Sequence, residues 1–301
     1  MTNPVEPPGP RRTTATRPPT EHVLTLDCVE SPGIIHAVSG FLLERGCNVL
    51  DVKQYGDRNK SHFFLRMRFS SPQQSLDVKD LRRDFTSLGE DWGMTWQIEP
   101  EGRRRRVIVM VSGLDHCLNA LLYRERTGDL PIEIAGVVSN HRDHEALVNW
   151  HGIPFFHIPV APDSKDEAET AFLRIVDDLD VELVILARYM QILSDNLSSR
   201  MTGRIINIHH SFLPSFKGAK PYHQAHDRGV KSVGATAHYV NQALDEGPII
   251  AQEVIEVDHT FTPNDLIAVG RDAECAALVK AIRWHCEGRI ILHGNRTVIL
   301  R

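Results

Sequence analysis

Val107-Ile108-Val109-Met110-Val111 is an unbroken apolar run of strand length. A strand facing water on one side alternates apolar and polar residues. A run without alternation needs cover on both faces, as in a parallel sheet flanked by helices. Similar runs return at Ile132 to Val138, Phe155 to Ile158 and Leu183 to Leu186. Segments of helical pattern separate them, at about Cys117 to Arg126, Asp143 to Trp150 and Lys165 to Asp178. Strand and helix in alternation predict a Rossmann-like, doubly wound α/β domain. From Gly234 onward the pattern is richer in strand, a long helix lies within Thr262 to Cys286, and two short strands lie within Arg289 to Leu300.

Upstream of Val107 the pattern is different. His22 to Cys28 alternates like a half-buried strand. Ser31-Pro32-Gly33 then opens a helix carrying Ile34, Ile35, Val38, Phe41 and Leu42 at helical spacing, and Gly46 closes it. Asn48 to Tyr55 and Ser61 to Phe69 read as strands joined by the turn Gly56-Asp57-Arg58-Asn59. A helix over Asp77 to Leu88 and a strand over Met94 to Ile98 complete a ferredoxin-like βαββαβ order. The expected division is a disordered Pro-, Thr- and Arg-rich tail at 1–20, a first domain at 21–99, a linker at 100–105 and a second domain at 106–301.

The chain has 301 residues, enough for two domains, and 42% of them are hydrophobic, so sizeable cores can form. Its net charge of -5 argues against a nucleic-acid binder. The cluster Arg103-Arg104-Arg105-Arg106 reads as a solvated linker edge. The five cysteines include no C-x-x-C pair, which fits thiols in a reducing, cytoplasmic setting. No apolar run has the length of a membrane span. The N-terminus lacks the apolar region of a secretory signal.

The candidate chemistry lies at Ile206-Asn207-Ile208-His209-His210, after the run Arg204-Ile205-Ile206. Side chains alternate along a strand, so Asn207 and His209 share a face. A donor amide and a titratable ring at a strand end suit carbonyl chemistry. Leu213-Pro214-Ser215-Phe216-Lys217-Gly218 then reads as an irregular loop. His141 with His144, and His223 with His226, have a spacing that could suit a metal, but neither pair has the glutamate of H-E-x-x-H, so no metal is expected. Ser211 lacks a nucleophile elbow, and Cys117 reads as a packing thiol.

Two resemblances add to this. Residues 21–99 resemble an ACT domain in their βαββαβ order, in Asp27 with Ser31-Pro32-Gly33, and in Gly46-Cys47-Asn48-Val49. This resemblance implies an amino-acid effector held by Asp27, Ser31, Gly33 and Asn48, and subunits that pair into a homo-oligomer. Residues 106–301 resemble the folate-dependent formyltransferases. They carry Asn207 and His209 as the family's Asn-x-His, and Asp245 as its loop aspartate between Gly234-Ala235-Thr236-Ala237-His238-Tyr239-Val240 and Gly247-Pro248-Ile249-Ile250. Gly218-Ala219-Lys220-Pro221-Tyr222-His223 and Gly270-Arg271-Asp272 add to the match.

This second resemblance implies a catalytic trio of Asn207, His209 and Asp245. It also implies a folate pocket formed by Arg188, Tyr189, Met190, Gln191, Ile192, Leu193, His238 and Val240. The apolar side chains of that set read equally as core. Members acting on glycinamide ribonucleotide carry a Ser-Gly-x-Gly-Ser-Asn loop whose amides cradle phosphate at a helix start. Here the loop is Ser112-Gly113-Leu114-Asp115-His116-Cys117, with a carboxylate where phosphate would sit. The resemblance therefore implies hydrolysis of 10-formyltetrahydrofolate to tetrahydrofolate and formate, supplying formate and balancing one-carbon pools for purine synthesis, with folate as substrate and no cofactor. The alternatives are formyl transfer to an amine acceptor such as glycinamide ribonucleotide, or a sensor that has lost catalysis. Whether His209 or Asp245 moves the proton from water stays open.

Overall fold

The computed structural model of the chain describes residues 20–71, 77–161, 164–213 and 221–301. Residues 1–19 of the tail expected at 1–20, the loop from 214 onward and the Gly218-Ala219-Lys220 part of the motif lie outside the described residues, while Thr20 already belongs to the first strand.

The N-terminal elements run β1 (Thr20–Val29), α1 (Ile34–Glu44), β2 (Asn48–Asp57), β3 (His62–Ser71), α2 (Val78–Asp91) and β4 (Thr95–Pro100). The expected order is observed, but Gly56 and Asp57 belong to β2, so the turn falls later than expected. The four strands form an antiparallel sheet in the order β2-β3-β1-β4. Alternation sorts β3 cleanly. Phe63, Leu65, Met67 and Phe69 point to the helices and share a core with Val38, Phe41, Leu81 and Phe85. Phe64, Arg66 and Arg68 occupy the opposite face.

The remaining elements are β5 (Arg105–Val111), α3 (His116–Thr127), β6 (Ile132–Ser139), α4 (Glu145–Trp150), β7 (Phe155–His157), α5 (Lys165–Asp178), β8 (Leu183–Leu186), α6 (Asp195–Arg200), β9 (Ile205–His209), α7 (Pro221–Asp227), β10 (Ser232–Tyr239), β11 (Ile249–Glu256), α8 (Pro263–Cys286), β12 (Ile290–His293) and β13 (Arg296–Ile299). Seven strands form one sheet in the order β11-β10-β9-β8-β5-β6-β7. Strands β5 to β9 are parallel, whereas β10 runs antiparallel to β9 and β11 antiparallel to β10. The expectation of a wholly parallel sheet is thus corrected to a mixed one. The short connection from β10 to β11 makes a hairpin, which a parallel pair does not permit.

Both faces of this sheet are covered, as the apolar runs require. One core joins Val107, Val109, Ile206 and Ile208 to α3 and α8 through Leu118, Leu121, Ala277 and Ile282. The other joins Ile108, Met110, Val184 and Ile205 to α5 and α6 through Phe172, Val176 and Leu197.

The arginine cluster also departs from its expected role. Arg103 and Arg105 reach Glu182, at 2.6 and 3.2 Å, while Arg104 pairs with Glu125 and Arg106 with Glu133. The glutamates that hold it are distant in sequence. The β12–β13 hairpin packs Ile291, Val298 and Leu300 against Phe64, and Arg296 pairs with Asp57, tying the end of the chain to the first sheet.

Candidate active site

Asn207 sits in β9 between two neighbours in register, Leu186 of β8 and His238 of β10. That register explains its contact, because residues directly opposite on antiparallel strands bring their side chains together. Asn207 Nδ2 lies 3.2 Å from His238 Nε2, and His238 Nδ1 lies 2.9 Å from the Tyr239 carbonyl oxygen. A carbonyl only accepts, so Nδ1 carries the imidazole proton and Nε2 is an acceptor. Burial depresses the His238 pKa, which keeps the ring neutral. Asn207 therefore donates one amide hydrogen to His238, which fixes which end of the amide is nitrogen and leaves its second N–H for the pocket.

Asp245 completes the trio. Its Oδ1 lies 3.3 Å from His209 Nδ1 and 3.8 Å from His238 Nε2. The hydrogen bond from His209 holds its carboxyl below the usual carboxylate pKa, against the opposing effect of burial. Its backbone is left-handed, with φ of 57°, a conformation costly for most residues with a Cβ but tolerated by aspartate. Gly247 explains how the loop closes. A Cβ there would lie 1.7 Å from the Tyr239 carbonyl oxygen, the atom that fixes His238.

The trio lines one end of a pocket of about 250 Å³. All eight residues expected to bind folate line it: Arg188, Tyr189, Met190, Gln191, Ile192, Leu193, His238 and Val240. Their side chains divide. Tyr189 and Leu193 pack against the core of α5 and α6, while Met190 and Ile192 are exposed at the rim. The 188–193 loop begins directly after β8 with Arg188 at a φ of 64°. Ser112 ties that loop down: its hydroxyl accepts from Met190 N at 3.0 Å and donates to Asn140 Oδ1 at 2.7 Å.

Sequence reasoning missed the group behind this wall. Glu274 of α8 is 2% exposed, and its Oε2 takes His116 Nε2 at 2.8 Å and faces Arg188 Nε at 3.4 Å. Its Oε1 lies 3.3 Å from the Tyr222 hydroxyl, which is also 3.2 Å from the His210 carbonyl oxygen. One carboxylate thus holds the start of α3, the start of the 188–193 loop and the chain beyond His209. The cue was a lone charge among the buried Leu266, Ala273 and Ala277 of one helix. Gly270 belongs to the same arrangement, since a Cβ there would meet the Tyr222 hydroxyl at 2.0 Å. Burial, with Arg188 and His209 adding to it, pushes His210 down to about 4, so it is neutral near pH 7.

The donor atoms of His116, Cys117 and Glu274 lie within 4.8 Å of one another, but Arg188 already faces the same carboxylate oxygen. A fixed cation there disfavours a second one. Of the other histidine pairs, His144 is committed to the Ser112 carbonyl at 2.9 Å and His141 to Asn140 at 3.1 Å. His226 faces Asp227 at 3.6 Å. Asp115 stands at the start of α3, its carboxylate accepting from Asn119 Nδ2 at 2.9 Å.

The residues expected to hold an effector are not gathered in this way. Asp27 is taken by His62 at 2.8 Å, and Ser31, Gly33 and Asn48 are exposed around the start of α1 and of β2.

This site on this sheet defines a class. The formyl transferase family model matches residues 105–282, more than half of the chain. A solved glycinamide ribonucleotide transformylase from Symbiobacterium toebii shares the fold with a TM-score of 0.62 and 32% identity. The match covers 67% of this chain and 97% of that one. Other likenesses are fuller. A formyltetrahydrofolate deformylase of Corynebacterium sp. (strain P-1) is 57% identical over 93% of this chain and 98% of its own length. The crystal structure of a formyltetrahydrofolate deformylase from Burkholderia mallei matches with a TM-score of 0.90 and 48% identity, covering 94% of this chain and all of that one. The chain belongs to the formyl transferase family and, within it, to the formyltetrahydrofolate deformylases.

Proposed function

We propose that this chain hydrolyses 10-formyltetrahydrofolate to tetrahydrofolate and formate, using Asn207, His209 and Asp245. The observation that carries this reading is the convergence of a pinned donor amide, an imidazole and an ionised carboxylate on one pocket. Water adds to the formyl carbon and its oxygen becomes an oxyanion. The free Asn207 N–H meets that charge, a contribution of roughly 3 to 4 kcal/mol for one such donor. Asp245, held as a carboxylate by His209, orients the water and takes its proton. The Asp245–His209 pair returns a proton to N10 as the C–N bond breaks. The main-chain groups of the 188–193 and 240–245 loops read the pteridine ring.

Water is the acceptor because the α3 start carries Asp115 and its neighbour His116 is tied to Glu274, which leaves that position hostile to a phosphate. Purified protein given 10-formyltetrahydrofolate and no amine releases formate; absence of formate would overturn the reading.

Residues 21–99 form an ACT-type regulatory domain, 100–105 a linker and 106–301 the catalytic domain in the same proposal. The β2 edge of the first sheet supports pairing of subunits. It is unpaired among the described strands and exposes Val49, Leu50, Val52 and Tyr55, each at least 38% exposed. In the same proposal Asp27, Ser31, Gly33 and Asn48 take an amino-acid effector, with Asp27 on the inner strand β1 released from His62. Light scattering of the full chain tests the pairing: replacement of Val52 and Tyr55 by lysine gives monomers if β2 is the interface.

A further inference from the structure

The first sheet turns its helix-free face toward the C-terminal end of α8, and a cleft of about 490 Å³ lies between them. Thr25, Arg66 and Gln97 supply one wall, and Arg283, Glu287 and Arg289 the other. Arg66 is only 3% exposed. Its Nε and Nη2 both donate to one backbone carbonyl, that of Glu287, at 3.2 and 3.0 Å. Its Nη1 faces the Asp51 carboxylate at 3.9 Å, beyond hydrogen-bond reach.

The surrounding arginines meet carboxylates directly. Arg68 takes Glu21 at 3.0 Å and Glu101 at 2.6 Å, Arg105 takes Glu182 at 3.2 Å, and Arg289 pairs with Glu287. Burial, and next the positive charge of Arg289, hold the Arg66 guanidinium below its usual pKa. A buried guanidinium whose side-chain hydrogen bonds go to a carbonyl, and whose charge is offset only at longer range by Glu101 and Asp51, is an incomplete ion pair. An oxyanion with two acceptor oxygens, a carboxylate or a phosphate, is what completes it, since it can accept two N–H bonds at once.

We propose that this cleft binds a small molecule through a carboxylate or phosphate group received by Arg66, with Arg283 and Arg289 at its mouth. Its volume lies within the range of small-molecule sites. It opens at Arg105, the start of β5, whereas the catalytic trio lies toward the ends of β8 and β9, so it is distinct from the folate pocket. A molecule held there touches both sheets and stabilises their mutual packing.

The test is calorimetric titration of the full chain with inorganic phosphate and, separately, succinate, each against sodium chloride at matched ionic strength. Saturable binding of at least one anion is expected, and the arm that saturates identifies the group. Arg66→Gln and Arg289→Gln, each checked for folding by circular dichroism, weaken it at least tenfold. If Arg66→Gln does not fold, the Arg283→Gln and Arg289→Gln pair carries the same expectation. Failure of both anions to saturate, or binding unchanged in the arginine variants, overturns the proposal.

Discussion

The two larger sheets of this molecule differ in what they leave polar. The seven-stranded sheet is buried on both faces, and its working groups are few, desolvated and pinned by one another, as His238 and Glu274 are. The four-stranded sheet is apolar toward α1 and α2 but carries Thr25, Arg66, Arg68 and Gln97 on its other side. Charge is scarce in the first setting and decides chemistry. In the second it is plentiful and mediates contact. Electrostatic terms strengthen as water is excluded, so single substitutions should cost most around the large sheet.

The largest effect is expected at Glu274. Replacement by alanine strips one carboxylate from His116, Arg188 and Tyr222 together, and breaking a buried pair typically costs about 3 to 5 kcal/mol. Urea denaturation of Glu274→Ala should show a loss of that size. A loss below 1 kcal/mol would remove the contrast between the sheets.

Next come the groups proposed to be catalytic. Asn207→Ala should lower kcat for formate release by about 10² to 10³. Asp245→Asn, which keeps a residue tolerant of the left-handed backbone, should fall at least as far. Asp245→Asn should melt near the parent temperature, separating chemistry from stability. Near-full turnover in either variant would refute the assignment. Gly247→Ala should act at one remove. Its Cβ displaces the Tyr239 carbonyl and frees His238, and a misplacement of this kind can cost roughly 10² in rate. Its signature is a drop in kcat larger than any rise in KM.

A pH series sharpens the same contrast. Burial lowers His210 and His285 from 6.5 to about 4. Between those values the unfolded chain binds more protons than the folded one, so acidification destabilises the fold. Each histidine contributes a slope of up to about 1.4 kcal/mol per pH unit. The melting temperature should fall from pH 6.5 toward 4, and His285→Gln should flatten that fall. The smallest effect belongs to the contact between the first sheet and the β12–β13 hairpin. Asp57→Asn weakens the pair with Arg296, which is half exposed, and should cost about 1 kcal/mol in denaturant titration.

Much of this was legible in the chain. The apolar runs at Val107 and Leu183 announced a doubly covered sheet, and the spacing of Asn207 and His209 announced their shared face. The direction of β10 was not legible, because Val233 to Tyr239 reads as a strand whichever way it runs. The arginine cluster misled for a related reason. Its partners, Glu125, Glu133 and Glu182, meet it only once β5, β6 and β8 are side by side and α3 is packed beside them. Glu274 left a trace, a charge on an apolar helix face, but its three partners come from the start of α3, the loop after β8 and α7, far apart in sequence. Local pattern announces elements and faces, and the tertiary fold alone supplies the ion pairs.

The central claim is that water receives the formyl group. The direct measurement is a single turnover of 10-formyltetrahydrofolate in H₂¹⁸O with glycinamide ribonucleotide present, followed by mass spectrometry of the products. The account predicts formate carrying one ¹⁸O and an unmodified amine. A formylated amine, or formate without the label, would contradict it.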